Sequence, residues 1–261
     1  MSLDHALSLV KHQSPPRDAF LDGRLSISQP EKGFRAGLDS VLLGAAVGAD
    51  DGALLDLGAG AGVAALVALR HHDRLVATLV ETDPQMLAFA HDNIAVNGLA
   101  GRATALALDL TAAGAVRTAA GLKTDHFAAV IANPPFFAEG RGTAPGNGGR
   151  AAARHMQATA LDLWVKTAAA SAAPAGAVIF IHAVESLGAL LAAFESRFGA
   201  IVVLPLAPRP GADATRVLVR GIKGSRAPLR LLPERPLHGA EGHGFASEFD
   251  AILRGRARLI W

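Results

Sequence analysis

From Ala53 onward, short apolar runs alternate along the chain with segments that carry helix signals. The seven runs are Ala53–Leu57, Leu75–Glu81, Thr104–Leu108, Phe127–Ala132, Gly176–His182, Ala200–Leu206 and Thr215–Ile222. Most are nearly continuous in apolar character, which is typical of strands buried on both faces. Strands that alternate with helices in this way predict an α/β fold with a doubly wound, mostly parallel sheet.

The connection between the last two runs is short and contains Pro208, Pro210 and Gly211. These residues favour a turn, and the connection is too short to hold the crossover helix that parallel neighbours need. We therefore expect a sheet of seven strands that is mostly parallel and has its last strand antiparallel.

Helix signals mark further segments. Pro84–Asn97 has proline in its first turn and ends at an Asn-Gly pair, which is a typical helix stop. We expect a second helix at Asp39–Val47, capped by the Asp39 side chain. Ser247–Leu253, near the end of the chain, is also helix-like.

These elements predict three segments: an N-terminal extension at residues 1–50, a core domain at residues 51–223, and a basic C-terminal tail at residues 224–261 that packs on the same domain. Residues Gly140–Gly149 carry five glycines and one proline, and they come shortly after a predicted strand. They predict a loop, which is either a lid over a site or a connector with no role.

Composition excludes several classes of protein. Hydrophobic residues make up 51% of the chain and charged residues 18%, so a large core is feasible and wholesale disorder is excluded. Cysteine is absent, which excludes disulfides, thiolate metal sites and a cysteine nucleophile. The apolar stretch Thr167–Val184 contains Pro174 and His182, so it predicts a helix end, a turn and a buried strand rather than a membrane span. The first 18 residues lack a signal-peptide core, and we expect a cytoplasmic protein.

The net charge of +2 hides an uneven distribution. Residues 1–100 hold five more acids than bases, whereas residues 201–261 hold five more bases than acids. A basic C-terminal end suits contact with a polyanion such as a nucleic acid. Ordinary solvated arginines on strands and loops would give the same pattern, so charge does not decide the partner.

The first predicted strand runs into a glycine-rich turn that contains Gly58, Gly60 and Gly62. Glycines let the backbone turn tightly and approach a ligand, and the amides at the start of the following helix then face that ligand. The motif alone is compatible with a nicotinamide dinucleotide, with S-adenosylmethionine or with a purely structural turn.

Acidic residues at the strand ends favour S-adenosylmethionine. Asp56 would repel a dinucleotide pyrophosphate, but it can meet the ammonium group of a methionine moiety, directly or through water. Glu81 closes the next strand, where its carboxylate can accept both ribose hydroxyls, with Thr82 beside the adenine ring. Asp109 closes the third run and is placed to accept from the adenine amine. As an alternative, Glu81 and Asp109 could be helix N-caps.

The fourth run leads into Asn133, Pro134, Pro135 and Phe136, which is the most specific pattern in the chain. An aromatic amine is a poor nucleophile because its lone pair is delocalised into the ring. The Asn133 side-chain oxygen and the Pro134 carbonyl could accept its two hydrogens and free that lone pair, and the prolines would preset both acceptors. Phe136 could stack on a base turned out of its helix. The alternative is a plain turn after a strand.

With these residues, the chain resembles the class I S-adenosylmethionine-dependent methyltransferases that carry an NPPY/F motif. Within that class, it is similar to the bacterial tRNA (adenine-N(6))-methyltransferases that modify a valine tRNA. The likeness extends over nearly the whole chain. It is carried by Gln29–Arg35, Asp39–Leu43, the glycine turn, Glu81–Pro84, Asn97–Leu99, the Asn133 tetrad, Ala153–His155, Arg216–Val219 and Lys223–Gly224.

The resemblance implies a Rossmann-like domain, S-adenosylmethionine as the methyl donor, S-adenosylhomocysteine as product and no metal. It also implies that residues Phe34–Asp39 fold over the cofactor pocket, which makes Arg35 and Asp39 candidate cofactor contacts, and that Asn133 faces the cofactor. Phe136 stands where tyrosine is commoner; it loses a hydroxyl and keeps the stacking face.

Several basic residues are candidate contacts for a tRNA substrate. Arg216 and Arg220 share one face of the last predicted strand, and Arg154 and His155 follow the glycine-rich loop. Solvated surface charges are the alternative for all four. His238 and His243 have neither a suitable spacing nor a third ligand, so no metal site is predicted.

The NPPF motif indicates that the methyl group is accepted by a planar, unreactive nitrogen, but it does not identify the acceptor molecule. A protein side chain or a small molecule, including O-methylation, stays an alternative acceptor. The same residues allow two further hypotheses: a non-catalytic S-adenosylmethionine-binding module and a nicotinamide dehydrogenase.

Overall fold

The computed structural model describes residues 17–32, 35–49, 51–135 and 147–261. The strands are β1 Arg17–Phe20, β2 Leu25–Ser28, β3 Asp51–Leu57, β4 Arg74–Glu81, β5 Ala103–Ala107, β6 Phe127–Ala132, β7 Ala172–Ala183, β8 Phe198–Ala207, β9 Arg216–Lys223, β10 Arg230–Leu231 and β11 Arg235–Pro236. The helices are α1 Leu38–Ala45, α2 Val63–His71, α3 Pro84–Val96, α4 Gly114–Ala119, α5 Asn147–Ser171, α6 Leu187–Glu195 and α7 Ser247–Leu253.

The central sheet has the strand order β10-β8-β9-β7-β6-β3-β4-β5, and β11 pairs with β8 beyond β10. Strands β3 to β7 all run parallel to one another, whereas β9 runs antiparallel to both β7 and β8. The predicted mostly parallel sheet with an antiparallel last strand is therefore confirmed. From β3 the chain winds outward through β4 and β5 and then returns to β6 on the other side. The switch point of the sheet thus lies between β3 and β6.

Helices cover both faces of this sheet because successive residues of the central strands point to opposite faces. Leu54 and Leu79 belong to one buried cluster with α1, α2 and α7, whereas Leu55 and Val80 belong to a second cluster with α5 and α6. The alternation explains why these strands are apolar throughout.

The sequence interpretation missed a hairpin and two short strands. The hairpin β1–β2 precedes the sheet and turns at Leu21 and Asp22, which both adopt positive φ. Strands β10 and β11 have only two residues each and lie in the Pro- and Arg-rich tail. Elements this short have too few residues for a period to be visible in the sequence.

Two asparagines at the carboxyl end of α3, Asn93 within the helix and Asn97 as its C-cap residue, hold the hairpin in place. The backbone N–H of Ser28 donates to Asn93 Oδ1 at 2.7 Å, and Asn93 Nδ2 donates to the Ser28 carbonyl at 2.9 Å. One helical turn later, Asn97 makes the same pair of bonds to Ser26. Asn93 Nδ2 also donates to the carbonyl of Ala61, at 2.9 Å, in the glycine turn.

The expected cap of the first helix was wrong. Helix α1 starts at Leu38, its N-cap residue is Gly37, and no side chain caps it. Asp39 lies inside the first turn, and its carboxylate accepts from Arg216 Nε at 3.0 Å. Because that carboxylate pairs with a distant strand, it is not used for the local cap.

The predicted helices Pro84–Asn97 and Ser247–Leu253 correspond to α3 and α7. Thr167–Val184 contains the end of α5 and the buried strand β7, and no helix in the described part of the chain is long and apolar enough to cross a membrane. Residues 140–146 of the glycine-rich segment lie outside the described residues, and residues 147–149 begin α5. The cytoplasmic location and the division into three segments stay predictions.

Candidate active site

A cavity of about 590 Å³ opens at the carboxyl ends of β3, β4, β5 and β6, beside the switch point of the sheet. Open α/β sheets bind ligands at this place, and the volume falls within the range of small-molecule sites. Its lining residues are Pro30, Lys32, Gly58, Gly60, Val80, Glu81, Thr82, Asp83, Gln85, Met86, Leu108, Asp109, Leu110, Thr111, Asn133, Pro135 and Trp164.

The glycine turn forms the floor of the cavity. Gly58 has φ +64°, and a Cβ atom there would lie 2.3 Å from Cη2 of Trp164. The Trp164 ring therefore packs directly on the turn, and only glycine fits beneath it. Gly62, with φ +86°, is the N-cap residue of α2 and does not line the cavity.

Glu81 holds the glycine turn and faces the cavity at the same time. Its Oε2 accepts from the Gly60 amide at 2.8 Å, and its Oε1 accepts from the amides of Thr82 and Asp83 at 2.7 and 2.8 Å. It is not a helix N-cap, because Asp83 caps α3 through the amides of Gln85 and Met86. Three backbone bonds fix the orientation of this carboxylate.

Asp109 is an exposed carboxylate on the cavity wall. Its Oδ1 accepts from the hydroxyl and the amide of Thr111, at 2.7 and 2.8 Å. These bonds lower the pKa of Asp109 below its ordinary value, so the group is an anion at neutral pH. It does not cap α4, whose N-cap residue is Ala113.

Asp56 lies beneath the glycine turn rather than on the cavity wall. Its side chain is 2% exposed, and Oδ2 accepts from the Ala65 amide of α2 at 3.1 Å. Burial raises the pKa of Asp56 to about 7; the bond from Ala65 opposes this rise, and the nearby Glu81 adds to it. The expected contact with an ammonium group stays a prediction, since Asp56 does not line the cavity.

Asn133 is the first residue after β6 and lines the cavity with Pro135. The Asn133 Oδ1 atom is buried and has no hydrogen-bond partner within the part of the chain that the structure describes. A buried amide oxygen without a partner is costly and calls for an explanation, such as a ligand that donates to it. Pro134 is buried, and Phe136 lies outside the described residues.

The segment before α1 contributes Pro30 and Lys32 to the cavity. Arg35, a predicted cofactor contact, instead donates to the Pro30 carbonyl at 2.9 Å and pairs with Asp18 of β1. Within the predicted cover Phe34–Asp39, Phe34 is not described, and residues 35–39 do not line the cavity.

The structure does not bring Arg216 and Arg220, two of the predicted substrate contacts, to the cavity. Arg216 pairs with Asp39, and the guanidinium of Arg220 lies over the Trp261 ring, 4.6 Å from its centroid. Burial and the neighbouring Arg230 lower the pKa of Arg220. Arg154 and His155 lie on α5, and their side chains are outside the description.

Some cavity residues carry no signal that the sequence interpretation could use. Trp164 lies in the middle of a helix, and Lys32, Met86 and Thr111 look like ordinary surface or helix residues.

The His238 ring stacks on Phe245 with 4.5 Å between centroids. The described residues contain no group of three or more side chains suited to a metal ion.

The predicted cofactor fits this cavity in its chemistry. Glu81 and Asp109 offer carboxylate oxygens to hydroxyl and amine donors, and the apolar side chains of Val80, Leu108 and Met86 suit a purine ring. Asn133 offers an acceptor oxygen that none of the described residues uses. A small number of polar groups within an apolar lining is typical of a site for a nucleoside-like ligand.

Comparison with known proteins places the chain in a family. The family model of the methyltransferase small domain matches residues 38–160. A tRNA1(Val) (adenine(37)-N6)-methyltransferase of Shewanella loihica is 32% identical over 181 residues, which is 67% of this chain and 72% of the relative. An enzyme of the same name from Actinobacillus succinogenes is 31% identical over 170 residues, 64% of this chain and 69% of the relative.

A solved structure from Agrobacterium tumefaciens, described as a predicted O-methyltransferase, has 33% sequence identity and a TM-score of 0.72. The match covers 85% of this chain and 98% of that one. The cavity, the glycine turn and these relatives agree on S-adenosylmethionine as the cofactor. The chain belongs to the class I S-adenosylmethionine-dependent methyltransferases, in the family that includes the tRNA1(Val) (adenine(37)-N6)-methyltransferases.

Proposed function

We propose that this methyltransferase transfers the methyl group to the exocyclic N6 amine of an adenine in tRNA. The single observation that carries the proposal is the buried Oδ1 of Asn133 on the wall of the cofactor cavity, which has no hydrogen-bond partner among the described residues. The names of the relatives from Shewanella and Actinobacillus support the same acceptor.

We propose that the β3–β5 side of the cavity holds the donor. Glu81 would accept the ribose hydroxyls, because its orientation is fixed by three amides and its oxygens still have lone pairs. Asp109 would accept from the amine of the donor's own adenine through Oδ2, since Oδ1 is engaged with Thr111. Thr82 would lie beside that ring.

When bound, S-adenosylmethionine supplies an electrophilic methyl group on its sulfonium. Asn133 Oδ1 would accept one hydrogen of the target amine, and the Pro134 carbonyl would accept the other. Both bonds draw the nitrogen towards tetrahedral geometry and localise its lone pair, so the protein promotes the reaction by alignment. The amine gives up one proton after the methyl group has been gained, and water accepts that proton.

Phe136 would stack on the target base, which must leave its loop or helix to reach the cavity. This role stays a proposal from the sequence, since the residue lies outside the described chain. Replacement by alanine should raise KM for RNA and leave the affinity for S-adenosylhomocysteine unchanged.

The chemistry of Asn133 favours an amine acceptor over a hydroxyl. An amide oxygen accepts a hydrogen bond but does not take up a proton at neutral pH, whereas O-methylation must remove a hydroxyl proton as the new bond forms. The name of the Agrobacterium protein makes O-methylation the acceptor class to test against.

The direct experiment supplies labelled S-adenosylmethionine and the purified enzyme with four acceptors: unmodified tRNA1(Val), the same tRNA with guanosine at position 37, a mixture of cell proteins, and hydroxylated small molecules. The proposal expects label in the first tRNA only, and digestion to nucleosides should then give N6-methyladenosine.

Two controls define the test. Asn133→Ala should lower the rate of transfer by about 100-fold or more, and Glu248→Gln, on α7 outside the cavity, should leave it unchanged. Label in protein or in a hydroxylated compound, with none in RNA, would refute the proposed acceptor while leaving the enzyme a methyltransferase.

A further inference from the structure

Residues 30–32 border the cofactor cavity, and together with residues 35 and 36 we call them the cavity loop. Pro30 and Lys32 of this loop line the cavity. Among the described residues, no other position before Gly58 does so. The placement of the loop therefore determines the shape of the cofactor site on that side.

The side chain of a buried glutamine links the two ends of the cavity loop. Gln29 is 2% exposed; its Oε1 accepts from the Ala36 amide at 2.9 Å, and its Nε2 donates to Asp18 Oδ2 at 2.7 Å. The same Asp18 oxygen accepts from Arg35. Since a buried amide that lost its partners would be costly, these contacts hold the loop ends together on the hairpin side.

A second anchor follows the loop directly. Helix α1 begins at Leu38, and the Asp39 carboxylate in its first turn accepts from Arg216 Nε at 3.0 Å. The two side chains are 19% and 34% exposed, so the ion pair is partly shielded from water. Arg216 is the first residue of β9 and lies opposite Ala183 of β7. The ion pair thus ties the end of the cavity loop to the β7–β9 side of the sheet.

We propose that Asp39 and Arg216 are positioning residues for the cofactor site. Their ion pair fixes the end of the cavity loop, and neither side chain contacts the methyl donor or the acceptor. Two observations carry this assignment: neither residue lines the cavity, and each charge is neutralised by the other. It differs from the roles that the sequence predicts, which are a cofactor contact for Asp39 and a substrate contact for Arg216.

The test measures three quantities: the dissociation constant for S-adenosylhomocysteine by calorimetry, the midpoint of thermal unfolding, and KM for tRNA. Asp39→Asn and Arg216→Gln should each raise the dissociation constant for S-adenosylhomocysteine by about 3- to 10-fold, and the double variant should be no worse than either single one. KM for tRNA should change by less than about twofold. Exchange of the two charges, with Asp39→Arg and Arg216→Asp in one chain, should restore part of the affinity.

The ion pair between Arg235 and Glu248 is a matched control, with a distance of 2.8 Å, side chains 24% and 44% exposed, and neither residue on the cavity. Glu248→Gln should leave the dissociation constant unchanged. A rise in KM for tRNA in Arg216→Gln alone, with normal S-adenosylhomocysteine binding, would overturn the proposal. Additive single effects, or lower thermal midpoints with unchanged binding, would overturn it as well. Because the binding measurement needs no RNA, it is independent of the proposed acceptor.

Discussion

The two sides of the central sheet use their charged side chains differently. On the β3–β5 side, Glu81 and Asp109 are held by backbone or neighbouring groups and still face the cavity. On the β7–β9 side, Arg216 pairs with Asp39, and Arg220 lies over Trp261. One side presents oriented acceptors to a ligand, and the other uses its charges to join distant segments. A charged residue at a strand end is therefore not evidence of a ligand contact until its partner is known.

The largest effect should follow a change at Asn133, which lies where the two sides meet. Asn133→Ala removes an acceptor that acts on the reacting amine, so kcat should fall by about 100- to 1000-fold. Binding of S-adenosylhomocysteine should stay within about twofold, because the β3–β5 side is intact. Single-turnover methylation and calorimetry check the two halves of this expectation. Equal losses in kcat and in the affinity for S-adenosylhomocysteine would show that Asn133 contributes to binding of the donor.

Asp56 should make stability depend on pH. Its pKa is about 7 in the folded chain and 3.8 in the unfolded one. Between these values the folded state keeps a proton that the unfolded state has released, so this group's contribution to stability falls as pH rises from about 4 to 7. Asp56→Asn removes the effect, which is worth at most about 4 kcal/mol. Urea unfolding at pH 5 and pH 8 gives the free energy of unfolding of both proteins. The stability of Asp56→Asn relative to the wild type should be higher at pH 8 than at pH 5. The same relative stability at both pH values would contradict the raised pKa.

Gly58 tests how closely Trp164 packs on the turn. In Gly58→Ala, a methyl group would lie 2.3 Å from the ring at a positive φ, so we expect a loss of about 2 kcal/mol in stability and a cofactor affinity at least about tenfold weaker. Gly98→Ala is the matched control: its φ is +67° and no atom lies within 4 Å. That variant should lose about 1 kcal/mol of stability and keep its affinity. Equal cofactor affinity in Gly58→Ala and Gly98→Ala would show that cofactor binding does not need the contact between Trp164 and the glycine turn.

The smallest effect should come from Arg220. Arg220→Gln removes a cation–π contact with Trp261, so stability should fall by about 1 kcal/mol, while KM for tRNA stays the same. Thermal unfolding and steady-state kinetics with tRNA check this. A raised KM with unchanged stability would mean that the β7–β9 side binds RNA after all, and the contrast between the two sides would be lost.

The β3–β5 side was predictable from the sequence because its parts are local. Gly58, Gly60, Glu81 and Asp109 each lie at or just after the carboxyl end of a strand, and these ends of parallel strands meet at one edge. The mostly parallel sheet followed from the alternation of strands and helices, and the antiparallel last strand followed from the short connection before β9.

The remaining contacts join residues far apart in the chain. Trp164 packs on Gly58, and Asp39 meets Arg216 at a separation of 177 residues. A sequence pattern reports which face of a strand or helix a residue occupies, but not which residue of another element it meets. For this reason the Asp39 cap was wrong, and the functions assigned to Arg216 and Arg220 were not supported by their contacts.

The pair of asparagines at the carboxyl end of α3 places a constraint on evolution as well as on structure. An added or deleted residue between Asn93 and Asn97 would rotate one amide by about 100° relative to the other, and only one of Ser26 and Ser28 could then be engaged. Because Asn93 also holds the carbonyl of Ala61, such a length change in a surface helix would be transmitted to the glycine turn. Among relatives of this chain, we therefore expect insertions and deletions to spare residues 93–97, even where the sequence around them changes.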